Sequence, residues 1–183
     1  CFLNAMHKFI LLFVLICSSI VSSQNEQLAQ NYYERGEFEK ALLSYQELLK
    51  TQPSNGVYFL RTIDCHQQLL QFDKAETALL ERLTKFNMAN LYVELGYNYQ
   101  LQKNQSKADK YYQTALDKVK ENPNNVYGIA HAFEQKDLVE KAIQAYEIGK
   151  SLNPAFNCDY QLALLQGQLG NMEGMTDKLL DFA

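Results

Sequence analysis

The sequence predicts an all-α fold, a solenoid of about five helix–turn–helix repeats. Three observations support this prediction. Small and aromatic residues recur every 33 or 34 residues after position 23, and apolar residues inside each repeat follow the spacing of a helix face. Glycine (8 residues) and proline (3 residues) are too few for an all-β fold with many tight turns. With 47% apolar residues, the chain can bury a core.

Four columns of residues define the repeat, each with successive spacings of 34, 33, 34 and 33. The small-residue columns hold Ala29, Ile63, Gly96, Ala130 and Ala163, and Ala41, Ala75, Ala108, Ala142 and Met175. The larger-residue columns hold Tyr32, His66, Tyr99, Phe133 and Gln166, and Tyr45, Leu79, Tyr112, Tyr146 and Leu179. These columns predict repeats at about 22–55, 56–88, 89–122 and 123–155, with an incomplete fifth at 156–183.

Each repeat is expected to contain two helices joined by a short polar turn. In the third repeat, Leu95, Gly96 and Tyr99 share one face of the first helix, and Ala108 and Tyr112 share a face of the second. Prolines fall at the junctions between repeats, where a helix can end or begin: Pro53, Pro123 and Pro154.

This 34-residue helix–turn–helix pattern resembles the tetratricopeptide repeat. The resemblance covers about five repeats across 24–183, and His66 and Lys103 depart from the usual pattern. It implies a right-handed superhelical solenoid whose first helices line a concave, protein-binding groove. Small residues such as Gly96 would let helices approach closely, while tyrosines such as Tyr112 would fill the space between hairpins.

The two ends of the chain carry further expectations. Residues 1–23 have one formal charge, Lys8, then an apolar run over 9–16 and small residues up to Ser23, the order of a secretory signal peptide. Natural translation is expected to start at Met6. At the other end, Leu179 and Leu180 are not the polar surface of a capping helix, so more repeats or another domain are expected beyond residue 183.

The leader predicts an exported protein, in the periplasm, in the cell envelope or outside the cell, whose leader engages the membrane only during export. Two alternatives remain. A membrane anchor would need about 20 apolar residues, more than the run provides. A lipid on Cys17 would need a small residue before it, where Ile16 stands.

A second stripe beside the core stripe of the first helices is the candidate peptide-binding groove: Leu60, Asp64, Val93, Tyr97, Tyr127 and His131. Large amphipathic side chains such as Tyr97 and Tyr127 often anchor a partner, although they could instead pack against neighbouring repeats. The stripe is mixed aromatic and acidic, which suits a partner with apolar and basic segments. Relatives of the resembled family that bind chaperone tails use several cationic residues here, and only Arg61 is cationic at the matching places.

Other function classes have little support. A net charge of -4 gives no basic stripe for nucleic acid. His66 and His131 lie two repeats apart, and phosphate loops or paired metal-ligand spacings are absent from the sequence, so no enzyme activity, cofactor or metal is predicted. Cys65 and Cys158 are predicted to be buried, unpaired thiols.

The predicted function is therefore a non-enzymatic scaffold that binds a partner protein or peptide. The alternative is a sensor or docking domain of a larger membrane signalling protein, or of an enzyme whose catalytic domain lies outside this sequence.

Overall fold

A computed structural model describes residues 24–182, and within that range the regular secondary structure is entirely helical. The helices are α1 (24–34), α2 (Phe38–Thr51), α3 (Gly56–Gln68), α4 (Phe72–Phe86), α5 (Leu91–Leu101), α6 (Gln105–Glu121), α7 (Val126–Gln135), α8 (Val139–Leu152), α9 (Asp159–Gln168) and α10 (Met172–Phe182). A short 3₁₀ turn, Pro123–Asn125, precedes α7. The all-α helical-repeat prediction is confirmed, and each predicted repeat contains one helical hairpin.

The turn inside every hairpin has the same backbone geometry. A residue with positive φ follows each first helix: Gly36 (72°), Leu70 (56°), Lys103 (59°), Asp137 (56°) and Gly170 (74°). In each turn the next residue's N–H donates to a carbonyl five positions back, as Gln71 does to His66 at 2.8 Å. Each first helix thus ends with one residue in the left-handed conformation. This ending gives hydrogen-bond donors to carbonyls that have no partner within the helix.

The carbonyl acceptors of these turns belong to Tyr32, His66, Tyr99, Phe133 and Gln166. They are the members of one column found in the sequence. That column therefore fixes the same hydrogen-bonded turn in each repeat as well as supplying core side chains.

The chain divides into two compact units, whose described parts are 24–75 and 76–182. In the N-terminal unit, the core joins Ala29 of α1 with Ala41 and Tyr45 of α2 and Tyr58 and Cys65 of α3. The Tyr45 hydroxyl donates to Gln30 Oε1 at 2.9 Å, so the buried ring keeps a partner for its polar end.

In the C-terminal unit, a close helix contact lies at Gly96. A Cβ atom there would lie 2.3 Å from Cε1 of Tyr112, so the tyrosine ring lies directly against the α5 backbone. The ring also meets Phe133 edge-on, with 5.6 Å between centroids. The Tyr112 hydroxyl donates to Gln100 Oε1 at 2.8 Å. Gly96 thus lets α5 and α6 approach closely, and the Tyr112 ring reaches Phe133 of the next hairpin, as the sequence predicts.

The fifth hairpin buries its columns less completely. Ala163 is buried, but Met175 is only partly buried and Leu179 is exposed, whereas Ala142 and Tyr146 at the matching places of the fourth repeat are buried. The second helix of the fifth hairpin is thus less covered than the second helix of the fourth repeat.

The predicted buried thiols are confirmed, since Cys65 and Cys158 are both free and fully buried. The signal-peptide prediction falls on residues 1–23, which lie outside the described residues. Across the described helices, none combines the length and hydropathy needed to cross a membrane.

Candidate functional site

Val93 is the one predicted groove residue that the structure contradicts. It is completely buried in the core of the C-terminal unit and is therefore not available to a ligand. The physical reason is that α5 contacts both α6 and α7, so more than one face of this helix is covered. On α5, the position of Val93 beside the core stripe is therefore itself part of the core.

Tyr97 is half-buried and lies beneath a charged pair. The Lys136 ammonium is 4.9 Å from the centre of the Tyr97 ring and 3.0 Å from Glu94 Oε2. The carboxylate and the ammonium are both almost fully buried, so this ion pair is well shielded from water. The pair links α5 to the turn before α8 and covers part of the tyrosine.

Tyr127 combines exposure with a fixed orientation. Its side chain is 46% exposed, while its ring lies 4.7 Å from that of Phe156. Its hydroxyl donates to the Asn157 carbonyl at 2.9 Å. The residue therefore packs against the turn before α9, as the alternative interpretation expected, and still offers nearly half of its surface.

His131 is exposed one turn further along α7. Two residues that the sequence reasoning missed lie at the matching places of α9. Tyr160 corresponds to Tyr127 and is 47% exposed, and Leu164 corresponds to His131 and is 51% exposed. Extending the repeat spacing by one more unit would have identified both.

We call Tyr97, Tyr127, His131, Tyr160 and Leu164 the first-helix residues of the C-terminal unit. They occupy two repeat positions on α5, α7 and α9. Four are exposed, and three of those four are large apolar or aromatic side chains. Exposed side chains of this kind are typical of protein-binding surfaces.

In the N-terminal unit, Leu60 and Asp64 are both partly buried. Asp64 Oδ2 lies 3.7 Å from Arg61 Nη1, and the Arg61 guanidinium lies 4.5 Å from the centre of the Tyr33 ring. Burial, together with the Asp64 charge, raises the pKa of Tyr33. Arg61, the cation noted in the sequence, is thus held by an aromatic ring and a carboxylate.

The N-terminal unit also contains a pocket of about 470 Å³, within the size range of ligand sites. Its lining is contributed by α1, α2 and α3: Glu26, Gln27, Gln30, Tyr45, Val57 and Tyr58. Burial raises the pKa of Tyr45 to about 12. Burial and the Glu26 carboxylate raise the pKa of Tyr58, so both hydroxyls are protonated at neutral pH.

Among the described residues, groups of three or more His, Cys, Asp or Glu side chains that could hold a metal ion are not found. Burial raises the pKa of Cys65 to about 12, and burial also raises the pKa of Cys158. Both thiols are therefore protonated near neutral pH and poor nucleophiles.

Fold and surface together define this chain as a helical-repeat protein, built of consecutive helical hairpins with exposed first-helix side chains. A comparison with protein-family models finds no match, and a comparison with curated proteins finds none either.

This chain is similar, at low sequence identity, to several solved structures. MamA (41 to the end) from Desulfovibrio magneticus RS-1 is 15% identical, with 88% of this chain and 92% of that chain covered and a TM-score of 0.46. A tetratricopeptide repeat protein from Parabacteroides merdae ATCC 43184 is 14% identical, covering 88% and 65%, with a TM-score of 0.44. PcrH in complex with the chaperone binding region of PopB is 18% identical, covering 61% and 91%, with a TM-score of 0.48. The repeat columns and hairpins of this chain remain the basis of its assignment.

Proposed function

We propose that this protein is a non-enzymatic scaffold that binds a partner protein or peptide through its first helices. The observation that carries the proposal is the exposure of Tyr127, Tyr160 and Leu164 at matching repeat positions of α7 and α9. Burying such side chains in a partner would release about 25 cal/mol for each Å² of apolar surface. Contiguous exposed apolar side chains on a soluble protein mark interaction surfaces, whereas single exposed ones are ordinary.

The orientation of Tyr127 supports a preformed contact. Because Phe156 and the Asn157 carbonyl already hold the ring, a partner would lose little conformational entropy in ordering it. Fixed tyrosines of this kind provide contact area at low entropic cost, which is typical of binding anchors.

The leader pattern of residues 1–23 supports export, so we propose that the partner is met in the periplasm, in the cell envelope or outside the cell. The partner is a protein, and neither a nucleic acid nor a cofactor is part of the proposal.

The test is partner capture with the exported protein from its own host as bait. Tyr127→Ala and Tyr160→Ala remove exposed rings, and each is expected to weaken capture of the same partner at least tenfold, as central interface aromatics do. Leu180→Ala, an exposed α10 residue at 71% exposure, is the control and is expected to leave capture unchanged. Circular dichroism must show equal helicity in all variants. Unchanged capture by both tyrosine variants, or a loss caused by Leu180→Ala alone, would contradict the proposal.

A further inference from the structure

The pocket of the N-terminal unit has a charge pattern that selects its ligand. Of the six described residues that line it, only Glu26 carries a formal charge, and Glu26 is exposed. The rings of Tyr45 and Tyr58 are almost completely buried, and the apolar side chain of Val57 is exposed at the same pocket. The cavity therefore combines an anion with aromatic and aliphatic walls.

Several polar groups of the pocket that could donate to an anion already have acceptors, and the Tyr58 side chain is hydrogen-bonded to Glu26. Tyr45 donates its hydroxyl hydrogen to Gln30 Oε1, and Gln30 Nε2 donates to Glu34 Oε1 at 2.7 Å. The first N–H groups of α3, on Val57 and Tyr58, both donate to Asn55 Oδ1, at 3.0 and 3.2 Å. A helix N-terminus usually attracts anions, but here the side-chain cap satisfies those donors.

The nearby cation, Arg61, does not neutralise Glu26 directly. Its guanidinium lies over the Tyr33 ring and beside Asp64. Glu26 therefore places the side chain of an acidic residue at a pocket that also has aromatic walls, an arrangement that favours a positive charge.

We propose that this pocket receives a lysine or arginine side chain of the bound partner. The aliphatic stem would lie along Val57 and Tyr58, and the cationic head would reach the Glu26 carboxylate. The proposal rests on the proposed function, because it assigns one subsite within the partner-binding protein. It also accounts for a partner with both basic and apolar segments, since the first-helix residues of the C-terminal unit offer apolar contacts.

The test uses two end-blocked heptapeptides of alanine and leucine that differ only at the central residue, lysine in one and glutamine in the other. Each is titrated into the ¹⁵N-labelled protein and followed by amide chemical shifts. The lysine peptide is expected to bind about 3- to 5-fold more tightly, the gain of an exposed ion pair. Its largest shifts are expected at Gln27 and Tyr58.

Two variants locate the charge. Glu26→Gln is expected to abolish the preference for lysine, whereas Glu39→Gln, which removes an exposed carboxylate from the first turn of α2, should preserve it. Equal affinity for both peptides, or a lysine preference that survives Glu26→Gln, overturns the pocket assignment. Absence of binding by either peptide also overturns it. The proposed function is judged separately, by capture of the partner with Tyr127→Ala and Tyr160→Ala.

Discussion

The contact between Gly96 and Tyr112 allows the repeat packing to be tested by adding a single methyl group. Gly96→Ala would place Cβ 2.3 Å from Cε1 and 2.4 Å from Cδ1 of the Tyr112 ring. The ring has little room to retreat, because it is almost completely buried, packs against Phe133, and donates its hydroxyl hydrogen to Gln100. The added atom therefore strains the contact between α5 and α6.

Two effects of opposite sign set the magnitude. Overpacking a tight core costs about 1–3 kcal/mol, while replacing a mid-helix glycine by alanine gains about 0.5–1 kcal/mol. Because the Tyr112 ring is almost completely buried and packs against Phe133, we expect the upper part of the overpacking range and a net loss of about 2 kcal/mol. Gly128→Ala is the matched control, since nothing lies within 4 Å of its added Cβ on α7. It should gain about 0.5–1 kcal/mol.

Urea unfolding followed by circular dichroism measures both changes in the free energy of unfolding. Gly96→Ala should be less stable and Gly128→Ala more stable than the wild type, with about 2.5–3 kcal/mol between the two variants. If Gly96→Ala is as stable as the wild type while Gly128→Ala gains stability, then the close approach of Tyr112 to α5 is wrong.

Three further predictions concern other parts of the fold. Leu70→Gly should raise the free energy of unfolding by about 1 kcal/mol, because Leu70 is exposed and its φ of 56° costs free energy for any residue other than glycine. A urea midpoint below that of the wild type would contradict this. Tyr112→Ala should cost about 3–5 kcal/mol, and a measured loss under about 1 kcal/mol would exclude a buried, well-packed ring. Burial lowers the pKa of His66 below its unfolded value of about 6.5, so its contribution to stability is present above that pH and is lost as the pH falls through the folded pKa. As the pH is lowered from 6.5, the urea midpoint of the wild type should therefore decrease more steeply than that of His66→Gln. Identical dependence of the two midpoints on pH would count against a buried neutral imidazole.

The repeat spacing was sufficient to predict the hairpins and most of their core. Ala41, Ala75, Ala108 and Ala142 are all completely buried, because each lies where a second helix meets its neighbours. A four-member column of this kind reports packing directly, since larger side chains do not fit there.

The common left-handed turn was not predicted, although its residues share the same spacing. Glycine is typical of that conformation, and it stands at positions 36 and 170. The other three positions hold leucine, lysine and aspartate, so the column is not recognisable from residue type: Leu70, Lys103 and Asp137. The hydrogen bonds of the turn hold these residues at positive φ, although that conformation costs free energy for any residue other than glycine.

The candidate site was predicted less completely than the core. The repeat spacing places Val93 of α5 and Tyr127 of α7 at matching positions. Only the contacts between helices decide that Val93 is buried and Tyr127 is exposed. The ion pair of Glu94 and Lys136 joins residues 42 positions apart in different repeats, which spacing within one helix does not reveal.

The most direct test of partner binding at the first helices is site-specific photocrosslinking in the host cell. A benzophenone-bearing residue placed at His131, exposed on the first helix of the fourth repeat, should crosslink to one partner protein. The same residue placed at Gln144, exposed on the second helix of that repeat, should not. A partner crosslinked from Gln144 but not from His131 would show that binding takes place on the other helices and would contradict the account.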